Sequence, residues 1–356
     1  MIKLCDTTPS SLEFLLDGHP GYRRTQILDG IYRSHRLPAE LTTLPRDLRS
    51  LLEGEIQPAL THVAESASDN GETVKWLFAL EDGQRIETVL MRYSDRVTVC
   101  ISTQAGCAMG CSFCATGQGG FGRNLTTAEM LEQIFWAERA AKPRAVTHVV
   151  FMGMGEPLAN YDRTVAAARR LRSDFGISPR RLTISTVGII PGIRRLAAEG
   201  IPITLAVSLH AANDRLRDEL IPMNRRYPIS GLMEACSEYV SATSRRVSFE
   251  WAMISGVNDR AQDAEELASL AIPLRAHVNL IPLNPTPGYA VIGTAPAEVA
   301  RFASQLRRLG ANATIRDTRG REIAAACGQL SMREAQNQLR LPHRRPNLVD
   351  SLPSEH

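Results

Sequence analysis

The sequence predicts an α/β protein: an open, partial (β/α)6 barrel, preceded by a small helical region and a linking β-hairpin. Three observations carry this. From Arg96 onward, short apolar runs alternate with amphipathic stretches at helical spacing. Strand–helix alternation of that kind implies a parallel sheet with right-handed crossovers. Just upstream, Asp82-Gly83 separates two strand-like runs and reads as a two-residue hairpin turn. Six strand–helix units are too few to close an eight-fold barrel, so the sheet stays open.

Each element follows from local pattern. In residues 1–70, Tyr22, Ile27, Ile31 and Tyr32 recur at helix-compatible spacing, and Leu44 to Leu52 predicts a second helix after Pro38. The whole of 1–70 is expected to be a helical accessory domain. Residues 71–95 hold the hairpin, with strands at Val74–Leu80 and Arg85–Met91. The barrel is expected over 96–330. Its strands are Arg96–Ile101, Val146–Met152, Leu182–Ser185, Ile203–Leu209, Val247–Ile254 and His277–Leu283, with a last one at Ala313–Arg316. Thr126-x-x-Glu129 is a capping box that opens a helix through about Ala141. Further helices are expected at Tyr161–Phe175, Ile193–Glu199, Leu232–Val240, Ala264–Leu270 and Ala297–Leu309. The tail, 331–356, is polar, basic and proline-punctuated, and is expected to be disordered at its end.

Composition narrows the class. No apolar run among the 356 residues reaches transmembrane length, and the first residues lack the apolar core of a signal peptide. Seven cysteines, an odd number and clustered, argue against a secreted disulfide framework and for a reducing cytosol. The expectation is a cytoplasmic protein with no membrane partner. The net charge of +3 says little about partners. Local basic bunches at Arg23-Arg24, Arg33–Arg36, Arg225-Arg226, Arg245-Arg246, Arg307-Arg308 and Arg340–Arg345 fit solvated faces as readily as binding sites.

Four cysteines fall in one span, Cys100 to Cys114, and the last three are spaced C-x3-C-x2-C at Cys107, Cys111 and Cys114. Thiolates select zinc, copper(I) or iron–sulfur clusters. Three cannot complete a structural zinc shell. On a [4Fe–4S] cluster, which takes one ligand per iron, three would leave one iron open. That is the spacing of the radical SAM superfamily, in which the open iron binds the amino and carboxylate groups of S-adenosylmethionine.

Other polar residues stand at predicted strand ends, where ligands gather in parallel sheets. The second barrel strand runs into Met152-Gly-Met-Gly155-Glu156-Pro157. Glycines there allow close backbone approach to a ligand, and a carboxylate can accept from a ligand ammonium. Alone, the Gly-Glu pair fits a β-turn equally well. Ser185, Ser208-Leu209-His210 and Asn284 end later strands. Each alone fits a cap or a satisfied core group, and no second histidine lies at ligand spacing from His210. By spacing alone Cys5, Cys100, Cys236 and Cys327 read as small buried hydrophobes.

Together these residues resemble the radical SAM RNA methyltransferases of the RlmN/Cfr type, over almost the whole chain. The matching segments are Gly21–Ile27, Glu87-Thr-Val, Cys100–Cys114, Ala115–Leu125, Gly153–Leu158, Ser208–His210 and Ala326-Cys-Gly-Gln-Leu330. The resemblance implies a radical SAM barrel and one [4Fe–4S] cluster held by Cys107, Cys111 and Cys114. It implies S-adenosylmethionine, two per turnover, held by Gly155, Glu156, Ser185, Ser208, Leu209, His210 and Asn284. Carbon 2 of adenine is no nucleophile, so radical chemistry must come from a cofactor. In the implied route Cys327 takes a methyl from one S-adenosylmethionine. A 5′-deoxyadenosyl radical from the second removes hydrogen from that S-methyl, and the methylene radical adds to the base. Cys100 then attacks Cys327, as in thiol–disulfide exchange, leaving a disulfide, with Glu87 as proton acceptor.

The implied substrates are 23S rRNA, at adenosine 2503 of the peptidyl transferase centre, and adenosine 37 of some tRNAs, with a flavodoxin-type electron donor. The accessory region and basic bunches would hold RNA backbone. Pro157 favours the carbon-2 (RlmN) branch, since the carbon-8 (Cfr-like) branch usually has alanine there. Gly30 departs from the family pattern, standing where many relatives carry tryptophan. A radical SAM peptide-modifying enzyme would not need Cys327, and a non-catalytic RNA-binding protein would not cleave S-adenosylmethionine. These are the rival readings.

Overall fold

The computed structural model describes residues 1–284, 292–316, 319–325 and 329–330. Among them one sheet of ten strands runs through the molecule, in the spatial order of the sequence. We label them β1 (Leu60–Ser68), β2 (Thr73–Leu80), β3 (Arg85–Arg92), β4 (Val97–Cys100), β5 (His148–Phe151), β6 (Leu182–Thr186), β7 (Thr204–Ser208), β8 (Ser248–Met253), β9 (His277–Pro282) and β10 (Asn312–Ile315). Strands β4 to β10 are parallel, and β1 to β3 are antiparallel and join them through β3 against β4. The end strands β1 and β10 do not pair, so the sheet is open, as the repeat count requires.

The crossover helices form where the apolar period and caps put them: α3 (Thr127–Ala141), α4 (Tyr161–Ser173), α5 (Ile190–Ala198), α7 (Ile229–Thr243), α8 (Ala261–Ala271) and α9 (Pro296–Arg308). The helices α1 (Tyr22–Tyr32) and α2 (Arg46–Glu55) lie before the sheet. At Thr126 both capping bonds are present, Glu129 N–H to the threonine hydroxyl at 3.2 Å and Thr126 N–H to the Glu129 carboxylate at 2.8 Å. Strand interiors such as Val149, Ile184, Val207, Phe249 and Val278 are fully buried, as parallel strands covered by helices must be.

Four details differ from the sequence reading. The expected helical stretch ends early, because Leu60–Ser68 is strand β1, paired antiparallel with β2. Its alternation of exposed and half-buried residues carries too few apolar side chains to register as a strand. The hairpin therefore belongs to the main sheet. Its loop has three residues, Glu81–Gly83: Leu80 N–H donates to Gln84 O at 2.8 Å and Gly83 N–H to Leu80 O at 3.0 Å, with Gly83 at φ 80°. A short helix, α6 (Asp214–Leu220), intervenes between β7 and α7. At Gly30 an added Cβ would lie 2.3 Å from Leu41 Cδ2, so Leu41 fills the space that a larger residue would need.

The N-terminal region is tied to the barrel by charged groups. Arg139 of α3 forms a two-pronged bond to Glu40 at 2.6 and 2.8 Å. Arg170 of α4 donates to Cys5 O at 2.6 Å and to the Tyr32 hydroxyl at 2.8 Å. Cys5 and Cys236 are fully buried, and burial raises both thiol pKa values, Cys236 to about 12. They are core residues, as the sequence reading has them. Among the described residues no helix is long and apolar enough to cross a membrane. The tail after Leu330 lies outside the described residues, so the expectation of disorder there is left as it stands.

Candidate active site

The strand ends β5 to β9 open onto one cavity. Cys107, Cys111 and Cys114 line one wall of it; Gly155, Glu156, Ser185, Ser208 and His210 line the facing strand ends. The chain leaves β4 and enters a small ribbon, Gln104–Gly106 paired with Phe121–Asn124, which turns the cysteine loop back over the cavity. Cys107 N–H donates to Gly120 O at 2.8 Å and Ser112 N–H to Leu220 O at 3.2 Å, so the loop is pinned at both sides. Burial pushes the Cys107 thiol up to about 12 and the Cys111 thiol well above its usual value. Among the described residues no three His, Cys, Asp or Glu side chains converge as a single metal ion would need. A cubane binds each thiolate on a separate iron, and so asks only that three thiols line one wall.

The glycines before Glu156 work differently from the sequence expectation. A Cβ on Gly153 would stand 2.7 Å from Ile101 C and O, and one on Gly155 2.5 Å from Gln104 Cβ; Gly155 sits at φ 103°. Their close approach is to the chain's own β4 segment. Glu156 is buried. Its carboxylate accepts from Leu158 N–H at 2.9 Å and Val187 N–H at 2.8 Å, tying the end of β5 to the end of β6. Burial raises its pKa to about 7 against those donors and the Thr186 hydroxyl. Three donors on a carboxylate with about four lone-pair sites leave one for a ligand.

His210 has φ 56°, an uncommon region for a residue other than glycine. Its Nδ1 accepts from Ala252 N–H at 2.9 Å, which fixes the proton of the neutral ring on Nε2. Burial, with the Arg217 charge next, lowers its pKa to about 3. Phe113 meets it edge-on at 4.7 Å between ring centres. Leu209 lies in the core and does not line the cavity; its N–H and carbonyl are bonded to Glu250 O and to Ala211 N–H and Arg217. Asn284 is buried, and its Nδ2 has no hydrogen-bond partner among the described residues.

Glu87 and Cys100 are not on the cavity wall. The register pairs Leu77 with Glu87, Lys75 with Val89, Val89 with Cys100 and Cys100 with Val150, so Lys75, Glu87 and Cys100 share one face of the sheet. Lys75 Nζ lies 2.8 Å from Glu87 Oε1, with both side chains buried (2 % and 0 % exposed). Over that face lies the segment before Cys327, with Lys75 Nζ 3.4 Å from Ala324 O. After Cys327, Leu330 lines the cavity and takes the Thr116 hydroxyl on its carbonyl at 2.6 Å. Cys327 itself lies outside the described residues.

The sequence reading missed Lys75, Phe113, Glu250 and Arg217. For Lys75 a signal existed, a lone charge inside the apolar run Val74–Leu80. The others announce themselves only through tertiary contacts.

Comparison with known proteins adds the family. Residues 101–271 match the radical SAM superfamily. A curated relative from Parafrankia sp. (strain EAN1pec), "Probable dual-specificity RNA methyltransferase RlmN", is 50 % identical over 335 residues, covering 88 % of this chain and 87 % of the relative. Another of the same name from Salinispora tropica is 51 % identical over 331 residues, covering 89 % of each. A solved structure, "Crystal Structure of a radical SAM methyltransferase from Sphaerobacter thermophilus", superposes with a TM-score of 0.89 at 49 % identity, over 93 % of this chain and 100 % of that one. The chain belongs to the RlmN family of radical SAM RNA methyltransferases.

Proposed function

We propose that this protein methylates carbon 2 of adenosine in 23S rRNA, at adenosine 2503, and at adenosine 37 of some tRNAs, in the cytoplasm. Membership in the radical SAM superfamily implies a [4Fe–4S] cluster and S-adenosylmethionine. The residues fit them: three thiols and a buried carboxylate line one cavity, and the buried Asn284 amide after β9 has no partner for its Nδ2 among the described residues. In this reading Cys107, Cys111 and Cys114 hold one cluster. Gly155, Glu156, Ser185, Ser208, Leu209, His210 and Asn284 hold S-adenosylmethionine, Leu209 only by anchoring the rim from the core behind it. When bound, the cluster supplies an electron, drawn from a flavodoxin-type donor, that splits S-adenosylmethionine into a hydrogen-abstracting radical.

The chain's own residues do the rest. Glu156 accepts the ligand ammonium on its remaining lone pair, and His210, kept neutral, offers Nε2–H. Cys327 carries the methyl group, Glu87 takes the proton, and Cys100 displaces the product by attack on the Cys327 sulfur, leaving a transient disulfide. Lys75 pairs with Glu87, Nζ to Oε1 at 2.8 Å. The observation that carries the reading is the shared sheet face of Lys75, Glu87 and Cys100. The segments flanking Cys327 lie on that face and at the cavity. The name of the relatives, dual-specificity RNA methyltransferase, supports two RNA substrates. Residues 1–70 with the basic bunches grip RNA backbone, and 71–330, the hairpin with Lys75 and Glu87 included, carry the chemistry.

The test is nucleoside mass spectrometry of 23S rRNA fragments and tRNA incubated with anaerobically reconstituted protein. 2-Methyladenosine is expected; 8-methyladenosine alone sinks the carbon-2 assignment. Cys327→Ala should abolish methyl transfer, while Cys100→Ala should accumulate a protein–RNA crosslink.

A further inference from the structure

Arg217 on α6 is fully buried, and every donor bond described for it ends on a neutral oxygen. Nε donates to Leu209 O at 3.1 Å, Nη1 to Asn224 Oδ1 at 2.7 Å, and Nη2 to Val187 O at 2.7 Å and Ser208 O at 3.1 Å. Three of these carbonyls belong to the ends of β6 and β7, the rim that carries Ser185, Ser208 and His210. Asp214 and Asp218 make no described bond to the guanidinium; both accept from Asn224 Nδ2, and their charges act on Arg217 through space. A cation taken so far from water needs compensating negative charge. The same helix supplies Leu220 O to Ser112 N–H, and Leu220 and Ile221 pack around Cys111. Val187, whose carbonyl takes Nη2 at 2.7 Å, packs against the same cluster of buried residues as Cys111.

We propose that Arg217 is a positioning and counter-charge residue of the cofactor cavity: it fixes the carbonyl ends of β6 and β7, and its buried charge favours the reduced state of the cluster. This rests on the reading that Cys107, Cys111 and Cys114 hold that cluster. A [4Fe–4S] core on three thiolates is anionic and becomes more so on gaining an electron. A fixed cation in the packed wall behind Cys111 therefore stabilises the reduced form more than the oxidised one. The same four bonds preorganise the rim that receives S-adenosylmethionine.

The test uses the full chain, reconstituted anaerobically, with an electron-paramagnetic-resonance redox titration and equilibrium dialysis of S-adenosylmethionine against the oxidised protein. Arg217→Gln should disfavour the reduced cluster about tenfold, equivalent to about 59 mV more negative. It should also weaken S-adenosylmethionine binding about tenfold. Arg217→Lys should keep the potential while losing part of the affinity. Asp218→Asn keeps an oxygen for Asn224 but removes a negative charge, and should move the potential the opposite way. A folded Arg217→Gln protein with wild-type potential overturns the proposal. Should that variant fail to fold, a potential displaced in Arg217→Lys, or unmoved in Asp218→Asn, overturns it. A wild-type chain that takes up no iron overturns the cluster reading itself; a cluster that loads normally and ignores these substitutions overturns only the role of Arg217.

Discussion

His210 shows what one residue does when its backbone and ring are both committed. The left-handed backbone turns the chain at the end of β7, and the ring accepts the Ala252 N–H that would otherwise be unpaired inside the barrel. A proton on Nδ1 would break that bond, and burial opposes the charge, so the folded pKa falls to about 3 from an ordinary value near 6.5. The sign follows. The unfolded chain binds the proton more readily, so this group's contribution to stability is present above about pH 6.5 and is lost as pH falls towards 3. His210→Asn tolerates the left-handed backbone and can accept the same N–H, but does not titrate. Its stability, followed by urea unfolding from pH 7 to pH 4, should fall less steeply than wild type, by up to about 1.4 kcal/mol per pH unit. Some acid sensitivity should remain, since burial also lowers His35, His148 and His277. Parallel curves for the two proteins would mean that His210 is not the buried neutral group described.

At the scale of elements, the site depends on how closely strand ends approach one another. Gly153 N–H donates to Ile101 O at 3.0 Å, and Met154 N–H to the Ser102 hydroxyl at 2.9 Å, stitching β5 to the segment after β4. Gly153→Ala would put a methyl 2.7 Å from Ile101 backbone atoms that cannot rotate away. The expected cost is about 1–3 kcal/mol, with S-adenosylmethionine affinity reduced because Glu156 moves with the displaced loop. A thermal melt and a binding isotherm check both, and an unchanged melting temperature counts against the close approach. This contact also shows what was legible. Strand–helix alternation and the capping box at Thr126 are local patterns, and the structure has each of these barrel elements in place, with ends shifted by up to about three residues. The glycines were visible as needed, but what approaches them was not, because Ile101 and Gln104 are about fifty residues away in sequence. Strand β1 was hidden because sheet pairing, not apolar alternation, holds Leu60–Ser68. Arg217 was hidden because its partners lie on three different elements.

Across the whole molecule, the sheet keeps sequence order, so its two ends are distant and the N-terminal region must be fastened by side chains rather than by strand swapping. Beside the apolar core that both parts share, Arg170 is one polar fastener. It reaches from α4 to Cys5 O and to the Tyr32 hydroxyl, which in turn donates to Thr7 O at 2.7 Å. Phe175 packs edge-on against the same Tyr32 ring at 5.6 Å. Arg139 with Glu40 makes a second, more exposed attachment, and Glu132 a third by accepting Ala59 and Leu60 N–H at 2.7 and 3.0 Å. Arg170→Met keeps the aliphatic bulk but leaves the buried Cys5 carbonyl without its charged donor. Hydrogen bonds to a charged group contribute about 1.5–3 kcal/mol, and the loss falls on the attachment, not on the barrel. Hydrogen exchange followed by mass spectrometry should therefore show protection falling over Leu4–Tyr32 while β5 to β8 exchange as in wild type. Because residues 1–70 are the proposed RNA grip, the same variant should bind RNA more weakly yet take up iron normally. Equal loss of protection in the N-terminal region and the barrel strands would mean that the two unfold as one unit, and that Arg170 is a core residue rather than a fastener.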